Sequence, residues 1–111
     1  MSRLSKLYLN ETPIKDLSLS VELVTSLIKL DLGDCKNLSS FPNAYCSLMS
    51  LKILKLSGCS KIDELPENLG NLKGLEVLDA SGTAIKELPT SIRVSLVQLF
   101  EKVHNEKVEF C

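Results

Sequence analysis

Leu51-Lys52-Ile53-Leu54-Lys55-Leu56-Ser57-Gly58-Cys59 is the stretch whose reading decides the fold. The same frame occurs earlier as Leu27-Ile28-Lys29-Leu30-Asp31-Leu32-Gly33-Asp34-Cys35, and later as Leu75-Glu76-Val77-Leu78-Asp79-Ala80-Ser81-Gly82-Thr83. A fourth copy runs Leu4-Ser5-Lys6-Leu7-Tyr8-Leu9-Asn10-Glu11-Thr12. The starts fall at 4, 27, 51 and 75, so the spacings are 23, 24 and 24. The second halves agree. Ile62, Leu65, Pro66, Leu69 and Leu72 follow Cys59, while Leu38, Phe41, Pro42, Cys46 and Leu48 follow Cys35. Ile85, Leu88, Pro89 and Ile92 follow Thr83; Ile14 and Leu17 follow Thr12, without the proline. A cysteine in the ninth place puts the next apolar residue three positions on, and a threonine puts it two on.

This period has a physical reading. In L-x-L the side chains alternate, as a strand requires. Leu7/Leu9, Leu30/Leu32, Leu54/Leu56 and Leu78/Ala80 are expected to point inward. Each strand is expected to pair in parallel with its counterpart one unit later. Thr12, Cys35, Cys59 and Thr83 turn inward at the bend, where a small polar side chain can bond backbone groups that must be paired when buried. Pro66 and Pro89 suit the first residue of a short helical turn. One unit cannot bury its leucines alone, so stability comes from stacking. Each buried leucine contributes about 1.5–3 kcal/mol, and leucine fills 22 of the 111 positions.

The spacing resembles a leucine-rich repeat, L-x-x-L-x-L-x-x-(N/C/T), whose period lies between about 20 and 29 residues. The expected fold is an α/β solenoid. It would have short parallel β-strands on the concave face, an irregular or short-helical convex side, and about four repeats over 1–94. A fifth frame fails near residue 98. Instead Leu96, Leu99, Phe100 and Val103 recur at helical spacing, behind Ser95 and Gln98 at capping-box spacing. Residues 95–111 read as an aperiodic tail, either an amphipathic helix over 95–105 that caps the last repeat or an unrelated, disordered segment. The first repeat has no polar cap before it, which would expose leucines and strand edge. On that ground the chain reads as a fragment or truncated form of something longer.

Other functional classes are excluded or left unsupported. Net charge is −1, so bulk electrostatics do not draw the chain to nucleic acid. No apolar run approaches the ~20 residues of a membrane span, and no signal-peptide core opens the sequence. There is no G-x-x-x-x-G-K-[ST], hence no nucleotide site, and no zinc-type C-x-x-C spacing. Cys35 and Cys59 read as reduced, buried thiols. His104, the single histidine, has no acid or nucleophile partner in view. No catalytic, cofactor or metal site is expected, and the chain does not read as an enzyme. Two glycosylation sequons, at Asn10 and Asn37, would matter only in a secreted protein.

The candidate site is the concave strip, formed by the outward positions of the strands. One column is Lys6, Lys29, Ile53 and Val77; the next is Tyr8, Asp31, Lys55 and Asp79; a third is Asn10, Gly33, Ser57 and Ser81. This strip reads either as a mixed-charge protein-binding surface with an apolar step at Ile53 and Val77, or as an ordinary solvated sheet face.

Two phrases carry a closer resemblance. Residues 56–72, LSGCSKIDELPENLGNL, and 78–92, LDASGTAIKELPTSI, resemble the repeats of plant intracellular immune receptors of the TIR–nucleotide-binding–leucine-rich-repeat class. The resemblance spans roughly 4–92. It implies protein partners: a pathogen effector, a host guardee, or the nucleotide-binding domain of a parent receptor. It also implies a cytoplasmic or nucleocytoplasmic location. The alternatives are a small stand-alone adaptor or decoy that binds proteins, and a non-functional gene fragment.

Overall fold

The L-x-L segments form four strands of three residues each: β1 (Lys6–Tyr8), β2 (Lys29–Asp31), β3 (Ile53–Lys55) and β4 (Val77–Asp79). They lie side by side in chain order in one parallel sheet. The computed structural model describes residues 4–87 and 89. Register follows the repeat: Leu7 lies opposite Leu30, Leu30 opposite Leu54, and Leu54 opposite Leu78. A parallel pair needs a long crossover. Here each crossover passes through one 3-10 turn: η1 (Val21–Val24), η2 (Asn43–Ser47) and η3 (Glu67–Asn71).

Pairing continues beyond the strands. The N–H groups of Leu9, Leu32 and Leu56 donate to the carbonyls of Asp31, Lys55 and Asp79 at 2.7–2.9 Å. One step on, Glu11, Asp34 and Gly58 donate to Gly33, Ser57 and Ser81 at 2.7–2.8 Å. All four residues at this place in the unit, Glu11, Asp34, Gly58 and Gly82, have positive φ of 59–80°. The left-handed conformation reverses the chain out of the sheet. Glycine adopts it freely, whereas a residue with a side chain is strained there.

The core is a single apolar column. Leu30, Leu32, Leu54, Leu56 and Leu78 are fully buried, as are Leu27, Leu51, Cys35, Cys59, Leu38 and Ile62. Among the described residues no polar or charged residue is buried. The first unit differs. Leu7, Leu9, Ile14 and Leu17 are half-buried against the column and Leu4 is 40% exposed, as expected for a face that only one neighbouring unit covers.

Both inward polar residues bond the bend, by different routes. The hydroxyls of Thr12 and Thr83 donate to the carbonyls of Leu9 and Ala80 in their own units, at 2.8 and 2.7 Å. The thiols of Cys35 and Cys59 reach back one unit, to the carbonyls of Leu9 and Leu32 at 3.1 and 3.0 Å. Threonine therefore closes its own bend, and cysteine ties its bend to the previous one.

One expectation needs correction. Pro66 does not begin the helical turn; it sits one residue earlier, at the N-cap of η3, with extended backbone (ψ 145°). Pro42 does the same before η2. Their carbonyls accept the N–H of Leu69 and Tyr45 at 3.1 Å, and a cap residue needs no helical ψ to do so. Pro89 is buried, and its turn lies outside the described residues, as do His104 and the tail from 95 to 111.

Candidate functional site

The strand register sets the open face of the sheet. Inward leucines leave the alternate residues on the opposite side. The first row is Lys6, Lys29, Ile53 and Val77, each paired Cα to Cα with the next. The second row is Tyr8, Asp31, Lys55 and Asp79, paired likewise. Asn10, Gly33, Ser57 and Ser81 lie just beyond, and the last three supply the carbonyls that extend the ladder. All twelve residues of the three rows therefore lie on one face, over four adjacent units.

Local chemistry distinguishes the two ends of this face. At the β1–β2 end the Lys29 ammonium stands 5.3 Å from the centre of the Tyr8 ring, within range of a cation–π attraction. Tyr8 remains 53% exposed. Lys6 is exposed and Lys29 half-buried. This end carries two cations and an accessible aromatic ring.

The carboxylates of the second row are tied to the following turn. One oxygen of Asp31 accepts the N–H of Gly33 at 2.9 Å. One oxygen of Asp79 accepts both the N–H and the hydroxyl of Ser81, at 3.2 and 2.8 Å. These Asx-type bonds orient the side chains along their own strands. Lys55 interrupts the series in β3. At the β3–β4 end the first row is apolar, with Ile53 and Val77 half-buried. The adjoining turns there are built from small residues: Ser57, Gly58, Ser81 and Gly82.

Sequence reading missed a second concavity. On the side opposite the sheet, a groove of about 690 Å³ runs between η1, η2 and η3, lined in part by Val21, Ala44, Cys46, Met49, Asn68 and Lys73. Met49 is 56% exposed, and the Asn68 amide donates to the Asn43 side chain at 3.2 Å across the rim. The only signal for it was Met49 standing where the neighbouring units carry Thr25 and Lys73. Beneath it, Tyr45 meets Phe41 edge-on, with centroids 5.8 Å apart, and its hydroxyl donates to the Leu19 carbonyl at 2.9 Å.

Among the described residues Cys35, Cys46 and Cys59 are free thiols, and all three are buried. Burial raises the Cys46 and Cys59 thiols above the ordinary range, and for Cys59 the hydrogen bond with Cys35 opposes that shift in part. A buried thiol held in its protonated form is a poor nucleophile. Among the described residues no group of three His, Cys, Asp or Glu side chains could hold a metal ion, and no helix is long and apolar enough to cross a membrane.

Residues 7–108 match the family model described as a leucine-rich repeat region. No curated protein matches the chain.

Proposed function

The chain belongs to the leucine-rich repeat family, and on that premise we propose that the open face of its sheet recognises a protein partner. The single observation that carries this reading is the face itself. Four units in register present two rows of side chains whose character changes along the stack: the first runs from Lys6 and Lys29 to Ile53 and Val77, and the second from Tyr8 and Asp31 to Lys55 and Asp79. A repeat scaffold sets its core by its leucines, which leaves the outward positions open to specify a partner.

The finer reading is that of a sensing or regulatory module of a plant intracellular immune receptor, acting in the cytoplasm or nucleocytoplasm. Its support is the resemblance of residues 56–72 and 78–92 to the repeats of that receptor class. Its partners would then be a pathogen effector, a guarded host protein or the receptor's own nucleotide-binding domain. The test is the complete message, sequenced from its 5′ end. In-frame P-loop and TIR coding sequence upstream is the expected result. A message starting at Met1 overturns the receptor reading, and a small stand-alone binding protein becomes the better account.

A further inference from the structure

Resting on the reading of the open face as a recognition surface, we propose that its partner is a protein segment bearing a carboxylate and a bulky apolar side chain three residues apart, bound in polyproline-II form along the row Lys6–Lys29–Ile53–Val77. The acidic residue faces β1–β2 and the apolar one faces β3–β4.

Charge complementarity argues the acidic end. Lys6 and Lys29 are direct neighbours across the β1–β2 pair, so their like charges are uncompensated within their row. Lys29 is already placed by the Tyr8 ring, which costs it conformational freedom in advance of binding. The ring attracts the ammonium without neutralising it. A carboxylate entering there bonds a fixed cation and lies beside the exposed edge of Tyr8, while a basic group is repelled.

The apolar end follows from the register. Ile53 and Val77 are Cα partners, half-buried, and together form an aliphatic step whose flanking turns carry Ser57, Gly58, Ser81 and Gly82. With no large side chain at those four positions, a bulky group can lie across the step. In the second row Asp31 and Asp79 are bound to their own turns. Asp31 shares β2 with Lys29 and offsets one of the two cations at that end, leaving a net charge of +1 there (two lysines, one aspartate), whereas Lys55 and Asp79 cancel beside the step; that difference sets the direction of the segment.

Spacing supplies the rest. Neighbouring strands lie about 4.8 Å apart, so the midpoint of the lysine pair lies about 10 Å from the midpoint of the Ile53–Val77 step. A polyproline-II segment advances about 3.1 Å per residue with three residues per turn, so side chains three residues apart share a face and lie about 9 Å apart, which matches that span.

The test selects a displayed library of random twelve-residue peptides on the full chain and measures enriched peptides by fluorescence anisotropy. The expected peptides carry Asp or Glu three residues from Leu, Ile, Phe or Trp. Their affinity should fall roughly tenfold or more on Lys29→Glu, in line with loss of a close interfacial charge pair, and also on Val77→Lys. Replacing the peptide's acid by lysine should restore binding to the Lys29→Glu chain. Circular dichroism confirms that each variant is folded. Peptides that lose affinity on Val77→Lys but carry no acid, or that ignore Lys29→Glu, overturn this inference and leave the recognition face standing. No enrichment, or binding indifferent to both substitutions, overturns the recognition face and this inference with it.

Discussion

Gly58→Ala should destabilise the chain by about 1–2 kcal/mol, for reasons that can be separated by experiment. Gly58 has φ +80°, and a Cβ there would collide with the carboxylate of Asp34 one unit back and approach the Asp34 Cα at 3.3 Å. A left-handed residue with a side chain costs about 1–2 kcal/mol. Reduced freedom of the unfolded chain offsets about 0.4–1 kcal/mol of that. The Asp34 carboxylate can swing away, because its side chain is 55% exposed. It then gives up its 3.5 Å ion pair with Lys36, worth under about 1 kcal/mol at that exposure, and accepts a rotamer cost of about 0.5–1.5 kcal/mol.

The assay is urea unfolding followed by circular dichroism, with Asp34→Gly as the second mutation of a double-mutant cycle. In the Asp34→Gly background the alanine should cost about 0.5–1 kcal/mol less, since only the backbone penalty remains. Gly82→Ala is the control. Its Cβ would press on the Gly58 backbone, at 3.1 Å from the nitrogen, so Asp34→Gly should not relieve it. A Gly58→Ala chain as stable as the parent would refute the backbone argument. An equal cost in both backgrounds would refute the crowding argument.

Leu54→Ala should cost about 2–5 kcal/mol and Leu7→Ala clearly less, because Leu54 is fully buried while Leu7 is half-buried; equal shifts in urea midpoint would contradict the single-column core. A brief native pulse of iodoacetamide, read by peptide mass mapping, should leave Cys35, Cys46 and Cys59 unmodified, and rapid labelling of Cys59 would mean that the bend is open. Stability should fall as pH rises beyond about 8.5, the ordinary thiol range. The reason is that burial raises the Cys46 and Cys59 thiols and the Tyr45 phenol, so above that range the unfolded chain holds fewer protons than the folded one. A urea midpoint unchanged between pH 8 and 10.5 would exclude that linkage.

The architecture was legible from leucine spacing. Core strands, their parallel order and the inward bend residues all follow from a period of 23–24 residues, because a strict period leaves few ways to bury every leucine. The rows of the open face followed from the same register, since alternation places Tyr8 beside Asp31 once Leu7 is set beside Leu30. Whether those rows bind a partner is a separate matter, and the leucines do not bear on it.

Contacts between units were decided only in the stacked chain. Nothing local distinguishes a cysteine that bonds the previous unit's Leu32 carbonyl from one that closes its own bend, as Thr83 does. Glu11 and Asp34 are left-handed although neither residue type demands it; the ladder bonds to Gly33 and Ser57 hold them there. The Lys29–Tyr8 contact, the Tyr45 bond to the Leu19 carbonyl and the groove beside Met49 likewise join groups roughly one unit apart in sequence. The repeat sets which positions face inward and which outward, because burial of apolar surface depends on pattern alone. Which outward or polar groups meet depends on distances across units, and those exist only once the units have stacked.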